Sequence, residues 1–138
     1  MINANSVGNR ENTLHSVGRR KSSVARVWLK PGKGDVEING KKYLEYFDTE
    51  ISRNKVIMPL KISGLTSAYD VFVNVCGGGL KGQADATRLG IARVLIKINE
   101  SLKPLMRKYG FLTVDSRIKE RKKYGRKAAR RRFQFVKR

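Results

Sequence analysis

The last 24 residues, Asp115 to Arg138, carry twelve basic and two acidic side chains, a net +10. Their seven apolar residues, Ile118, Tyr124, Ala128, Ala129, Phe133, Phe135 and Val136, follow no sustained helical or strand period, so burial cannot offset the entropy of ordering them. This stretch is expected to be a tail, disordered until bound, and any fold must be built from the residues before it. Those residues carry as much charge again, for a formal +20 from 31 Lys and Arg against 11 Asp and Glu. Charge on that scale repels itself wherever it clusters. A polyanionic partner relieves it, with nucleic acid the first candidate and an anionic membrane surface the second.

The 138-residue length and 40% hydrophobic content fit one modest core. One cysteine, Cys76, excludes an intramolecular disulfide framework and any zinc site built on several cysteines, and fits a reducing compartment. No uninterrupted apolar run reaches the roughly 18 residues of a membrane span. The start, MINANSVGNRENTLHSV, lacks the basic and then apolar regions of a secretory signal. The expected organisation is a mobile leader over 1–16, a globular domain over 17–114 and the basic tail over 115–138.

Within the domain, SVARVWLK (Ser23 to Lys30) alternates, with Ala25, Val27 and Leu29 facing a core and Val24, Arg26, Trp28 and Lys30 on the other side. PGKG (Pro31 to Gly34) marks a turn into a short run with Val36 and Ile38, read as a hairpin, and Asn39 and Gly40 make the next turn. Leu44, Phe47 and Ile51 suggest a short helical face ahead of Pro59. Tyr69 to Cys76 is the clearest strand, with Tyr69, Val71, Val73 and Val75 on one face. Ile91, Leu95, Ile98 and Leu102 then form a helical stripe, with Arg88, Arg93 and Lys97 off it as a basic outer surface. A second short helix is expected from an N-cap at Ser101 to a C′ residue at Gly110.

Catalytic chemistry finds little support. Gly77 to Gly82 has the glycine spacing of a nucleotide-binding loop, but Gln83 and Ala84 stand where Lys and Ser or Thr are required. Two weaker readings are equally open: a polynucleotide phosphate at the helix start, or a tight turn needing positive φ. His15 has no second imidazole or neighbouring acid, Cys76 reads as a small core residue, and the carboxylates are scattered. No enzyme, metal site or cofactor is expected. Candidate nucleic-acid contacts are Arg19, Arg20, Lys21, Arg26 and Lys30, with Trp28 among them, and in the tail Arg121, Lys122, Lys123, Arg126, Lys127, Arg130, Arg131 and Arg132.

Three separated segments, GRRKSSVARVWLKPGKGDVEING, VNVCGGGLKGQADATRLGIARVL and ERKKYGRKAARRRFQFVKR, closely resemble the ninth protein family of the small ribosomal subunit, in its bacterial or organellar form. The resemblance runs from about Val17 to Arg138. Val114 stands where the family pattern usually has arginine, and Val136 where it usually has serine. The resemblance implies a two-layer α/β domain, a mixed sheet backed by helices with a left-handed β-α-β crossover. It further implies residence in the small-subunit head of a cytoplasmic or organellar ribosome, beside other head proteins. There the domain binds ribosomal RNA and the tail threads toward the peptidyl site, with Lys137 and Arg138 against the tRNA anticodon stem-loop. Two rivals are a free-standing nucleic-acid chaperone, which needs no such folded half, and an RNA-acting enzyme, which needs a catalytic constellation the sequence lacks.

Overall fold

Strand alternation sets the centre of the sheet. In the computed structural model, which describes residues 13–137, β2 (Ser23–Pro31) and β5 (Tyr69–Cys76) pair antiparallel. Ala25 lies opposite Val75, Val27 opposite Val73 and Leu29 opposite Val71, and all six are buried. β1 (Leu14–Arg20) adds antiparallel to the outer edge of β2. On the other side β5 takes β3 (Val36–Ile38) in parallel, and β4 (Lys41–Lys42) closes the far edge antiparallel to β3. The order is β1-β2-β5-β3-β4, a mixed five-stranded sheet.

Helices α1 (Tyr43–Tyr46) and α2 (Glu50–Ser63) lie between β4 and β5 in sequence; α3 (Leu80–Ile98), a 3-10 turn (Glu100–Leu102) and α4 (Lys103–Lys108) follow. The long helix α3 packs on β1 and β2, and α2 packs on α3. Ser16 Oγ donates to the Gly90 carbonyl, tying strand to helix where the two come close. Arg26, Phe72, Asn74 and Cys76 point away from that side and are exposed. The mixed sheet backed by helices agrees with the expected α/β class.

Several local expectations change. The run after PGKG does not form a hairpin with β2, because β5 lies between β2 and β3. Asp70 explains why: its Oδ1 accepts from the backbone N–H groups of Lys33, Gly34 and Asp35 at 2.8 to 3.0 Å, so the turn wraps a side chain of the inserted strand. The hairpins join β1 to β2 through Lys21, with φ 53°, and β3 to β4 through Asn39 and Gly40, with φ of 51° and 78°. Leu14, His15 and Ser16 belong to β1, while residues 1–12 of the expected leader lie outside the described residues.

Pro59 sits inside α2 rather than beyond it, and of the expected helical face only Phe47 is buried, with Leu44 and Ile51 exposed. Pro59 deprives the Lys55 carbonyl of its usual i+4 donor, yet burial of Val56, Ile57, Pro59 and Leu60 holds the helix through that defect. In α3, Ile91 and Leu95 are fully buried, and so are Ala84, Ala86, Ala92 and Val94, so the apolar face is wider than a single stripe. The cap near Ser101 is Asn99, whose side chain accepts from Ser101 N–H at 3.0 Å. Gly110 fills its expected place, with φ 68° and its N–H donating to Arg107.

Asp70 carries a first prediction. Burial pushes its carboxyl up, but the three N–H donors from Asp35, Gly34 and Lys33, with the charge of Lys30, outweigh that and leave it below its ordinary 3.8. The stabilisation is therefore fully present above that ordinary value and is lost as pH falls through the lower folded value. Asp70→Ala should lower stability at neutral pH by about 1 to 3 kcal/mol, since three backbone donors lose their acceptor. In denaturant titrations the difference from wild type should shrink toward pH 3; an equal gap at pH 3 and pH 7 would contradict it.

Candidate nucleic-acid interface

Strand parity places the helix-free face. Across it, His15, Trp28 and Phe72 occupy one row of register-paired residues on β1, β2 and β5, continued by Glu37 on β3. The His15 and Trp28 rings lie 5.1 Å apart at 40°, and Phe72 is 39% exposed. In the next row Arg26 lies between Val17 and Asn74, its side chain exposed and without an ion pair or hydrogen bond among the described residues. Arg19 shares a row with Val24 and Cys76, while Lys30 lies opposite Asp70. Thus Arg19, Arg26, Lys30 and Trp28, singled out in the sequence, share one surface, which Lys21 borders from the β1–β2 turn.

Arg20 is placed differently. It lies on the opposite parity and is half-buried; its Nη1 donates to the carbonyls of Asp115 and Arg117 at 3.0 and 2.9 Å, and its Nη2 lies 3.0 Å from Asp115 Oδ2. Asp85, 3.0 Å from Lys55 Nζ and 3.8 Å from Arg88, approaches the other edge of the guanidinium at 4.0 Å. Arg20 therefore ties down the root of the tail. Hydrogen bonds from the Arg117 side chain and backbone, together with the charges of Arg117 and Arg20, hold the Asp115 carboxyl well below the usual carboxylate range. Nothing in the sequence marks Asp85 and Asp115 as partners except their isolation among cations.

Two of the helical cations also reach the edge strand. Arg93 Nη1 donates to the Val17 carbonyl at 2.7 Å and Lys97 Nζ to the His15 carbonyl at 2.6 Å, so both staple α3 to β1; Arg93 is half-buried there, while Lys97 stays exposed on the outer surface. Arg88 lies over the Phe111 ring, 5.5 Å from its centroid.

From Asp115 to Lys137 the chain has no helix or multi-residue strand, only an isolated bridge between Arg126 and Arg132. Lys127 N–H donates to the Arg131 carbonyl at 2.8 Å, and Arg130 makes a forked pair with Glu120, its Nη2 2.6 Å from Oε1. That pair lowers the Glu120 carboxyl below its ordinary value. Arg121, Lys122, Lys123, Lys127, Arg131 and Arg132 are exposed, as are Tyr124, Phe133 and Phe135; Arg126 is half-buried. Lys137 is exposed, and Arg138 lies outside the described residues.

The glycine loop has a structural explanation. Gly77 and Gly78 have φ of 73° and 64°, and a Cβ at either would meet the Ser22 carbonyl oxygen at 2.4 Å or Ser23 Oγ at 2.1 Å. The tight turn accounts for both residues without an anion. Cys76 is exposed, not core, because it falls on the outward parity of β5 with Phe72 and Asn74. Phe72 and His15 join the face although no sequence pattern marks them as contacts. The alternation of Tyr69–Cys76 already puts Phe72 outward, but only the sheet order brings it beside Trp28.

A basic α/β domain with one uncovered sheet face and a cationic tail anchored at its root has the electrostatic footprint of a polyanion-binding protein. The chain belongs to the family described as Ribosomal protein S9/S16, which matches residues 18–138. It is 50% identical over 125 residues to a protein of Syntrophobacter fumaroxidans named small ribosomal subunit protein uS9, covering 91% of this chain and 96% of that relative. Proteins of the same name from Cytophaga hutchinsonii and an Anaeromyxobacter strain are 52% and 53% identical, covering 91% and 89% of this chain and 98% and 95% of theirs. The family is structural rather than enzymatic.

Proposed function

We propose that the chain is a structural constituent of the small-subunit head, binding small-subunit ribosomal RNA through its basic sheet face and tail. The tail's end, Lys137 and Arg138, lies against the anticodon stem-loop of peptidyl-site tRNA, and other head proteins are neighbours. The observation that carries this reading is the family match through the whole tail, whose cations project from a root tied to the fold by Arg20. A tail without a core of its own can follow gaps between RNA helices, its ordering offset by many phosphate contacts formed together. Arg19, Lys21, Arg26 and Lys30 are the domain's phosphate contacts; Arg20 serves as the anchor. On the same family resemblance, the connection from β3 to β5 is left-handed, against the usual hand.

Sedimentation tests the assignment. The protein should travel with small ribosomal subunits through high-salt washes, and its release into the free-protein fraction would favour the chaperone instead. In subunits rebuilt with protein lacking Lys137 and Arg138, occupancy should be unchanged while peptidyl-site tRNA is held more weakly by about 1 to 3 kcal/mol, the scale of charge-assisted bonds to phosphate. Arg138→Lys should restore part of the loss, keeping the charge without the planar fork. Equal tRNA dissociation rates would make these residues idle.

A further inference from the structure

The helix-free sheet face combines partly exposed aromatic rings with Arg19 and Arg26, which make no ion pair among the described residues, and with Lys30 beside Asp70. Trp28 and Phe72 are cross-strand neighbours on adjacent strands, where facing side chains stand about 5 Å apart, and His15 closes the other side of Trp28. The charged groups facing this surface are Arg19, Arg26 and Lys30 from β1 and β2, Glu37 and Lys42 in register at the far edge, and Asp70. Asp70 stays ionised, but its Oδ1 accepts from three N–H groups of the adjoining loop, whose dipoles offset part of its charge. The remaining balance is positive. Rings on neighbouring strands, flanked by Arg and Lys, match a base plane with its phosphate better than they match another protein's side chains.

We infer that this face binds an unpaired segment of RNA, with a base stacked on Trp28 and Phe72 and the adjoining phosphates on Arg26 and Lys30. The inference rests on the ribosomal RNA reading above and adds what that reading leaves open, namely which RNA feature the domain takes. Duplex RNA buries its base faces in its own stack and offers the rings nothing. The tail binds both forms by charge, whereas the sheet face discriminates between them.

Trp28 is the sole tryptophan of the chain, and Cys76, the sole cysteine, is exposed on the same face. Together they report its occupancy in the full-length protein. Titration with a short single-stranded RNA should quench Trp28 fluorescence and slow alkylation of Cys76, while a duplex of equal charge should do neither. Trp28→Ala should weaken single-stranded binding about tenfold, as loss of one stacked base does, and leave duplex binding unchanged. Trp28→Phe should keep most of the affinity, which separates stacking from damage to the fold. Equal quenching by both RNAs, or no loss in Trp28→Ala, would overturn the inference while leaving the ribosomal reading intact. Failure to bind small-subunit ribosomal RNA at all would instead overturn that reading. Protection of Cys76 in assembled subunits but not by naked ribosomal RNA would assign the face to a protein and overturn the inference as well.

Discussion

Gly18→Ala is expected to be among the most damaging single substitutions in the domain, costing about 3 kcal/mol or more through overpacking against backbone. A Cβ at residue 18 would lie 1.9 Å from the Ala86 carbonyl oxygen and 2.6 Å from the Gly90 nitrogen, both backbone atoms of α3. Neither can rotate away, so β1 and α3 must separate. Separation would also break the bonds from Ser16, Arg93 and Lys97 that join the two elements. Gly110→Ala provides the contrast, because Gly110 has φ 68° but nothing within 4 Å of an added Cβ. It should cost only about 1 to 2 kcal/mol, the left-handed backbone penalty. Urea unfolding of both variants measures the difference, and a Gly18→Ala midpoint no lower than that of Gly110→Ala would refute the close-contact account.

Removal of residues 118–138 should produce the largest functional loss. It takes away eleven basic and one acidic residue but leaves Asp115 and Arg117, so the Arg20 anchor survives and the domain should unfold as before. Each neutralised phosphate adds roughly 0.7 to 0.9 to the steepness of the log-log salt dependence. With about six phosphates no longer neutralised, affinity for small-subunit ribosomal RNA should fall about a hundredfold or more near physiological salt. Replacing Arg130, Arg131 and Arg132 by alanine should flatten the slope by about two to three units. If Arg130 stays with Glu120, its partner in the free protein, only two phosphates are lost and the flattening should be about 1.4 to 1.8 units. Filter binding over a salt series distinguishes these cases, and an unchanged slope in both variants would place the phosphate contacts elsewhere.

The central strands are legible in the sequence because alternation is a local signal: Ala25, Val27 and Leu29, like Val71, Val73 and Val75, are buried as their parity demands. Sheet order is not, since it depends on pairing between distant segments. The turn at Gly32 to Asp35 looks the same in sequence whether it closes a hairpin or wraps Asp70, 35 positions beyond Asp35. Pro59 shows tertiary burial overriding a local breaker, and β1 is hidden because His15 and Ser16 read as polar leader. Of the candidate contacts, strand parity gathers Arg19, Arg26, Trp28 and Lys30 on one face. The anchoring role of Arg20 requires Asp115, 95 residues away, and no local pattern could join the two.

In the proposed function, the exposed tail cations and rings meet small-subunit ribosomal RNA. Photo-crosslinking of intact small subunits, followed by identification of the joined peptides, addresses it directly. RNA adducts are expected within residues 121–135, on or beside Tyr124, Phe133 and Phe135, whose rings are exposed in the free protein. Tail peptides joined only to proteins, with RNA adducts confined to the folded domain, would contradict it.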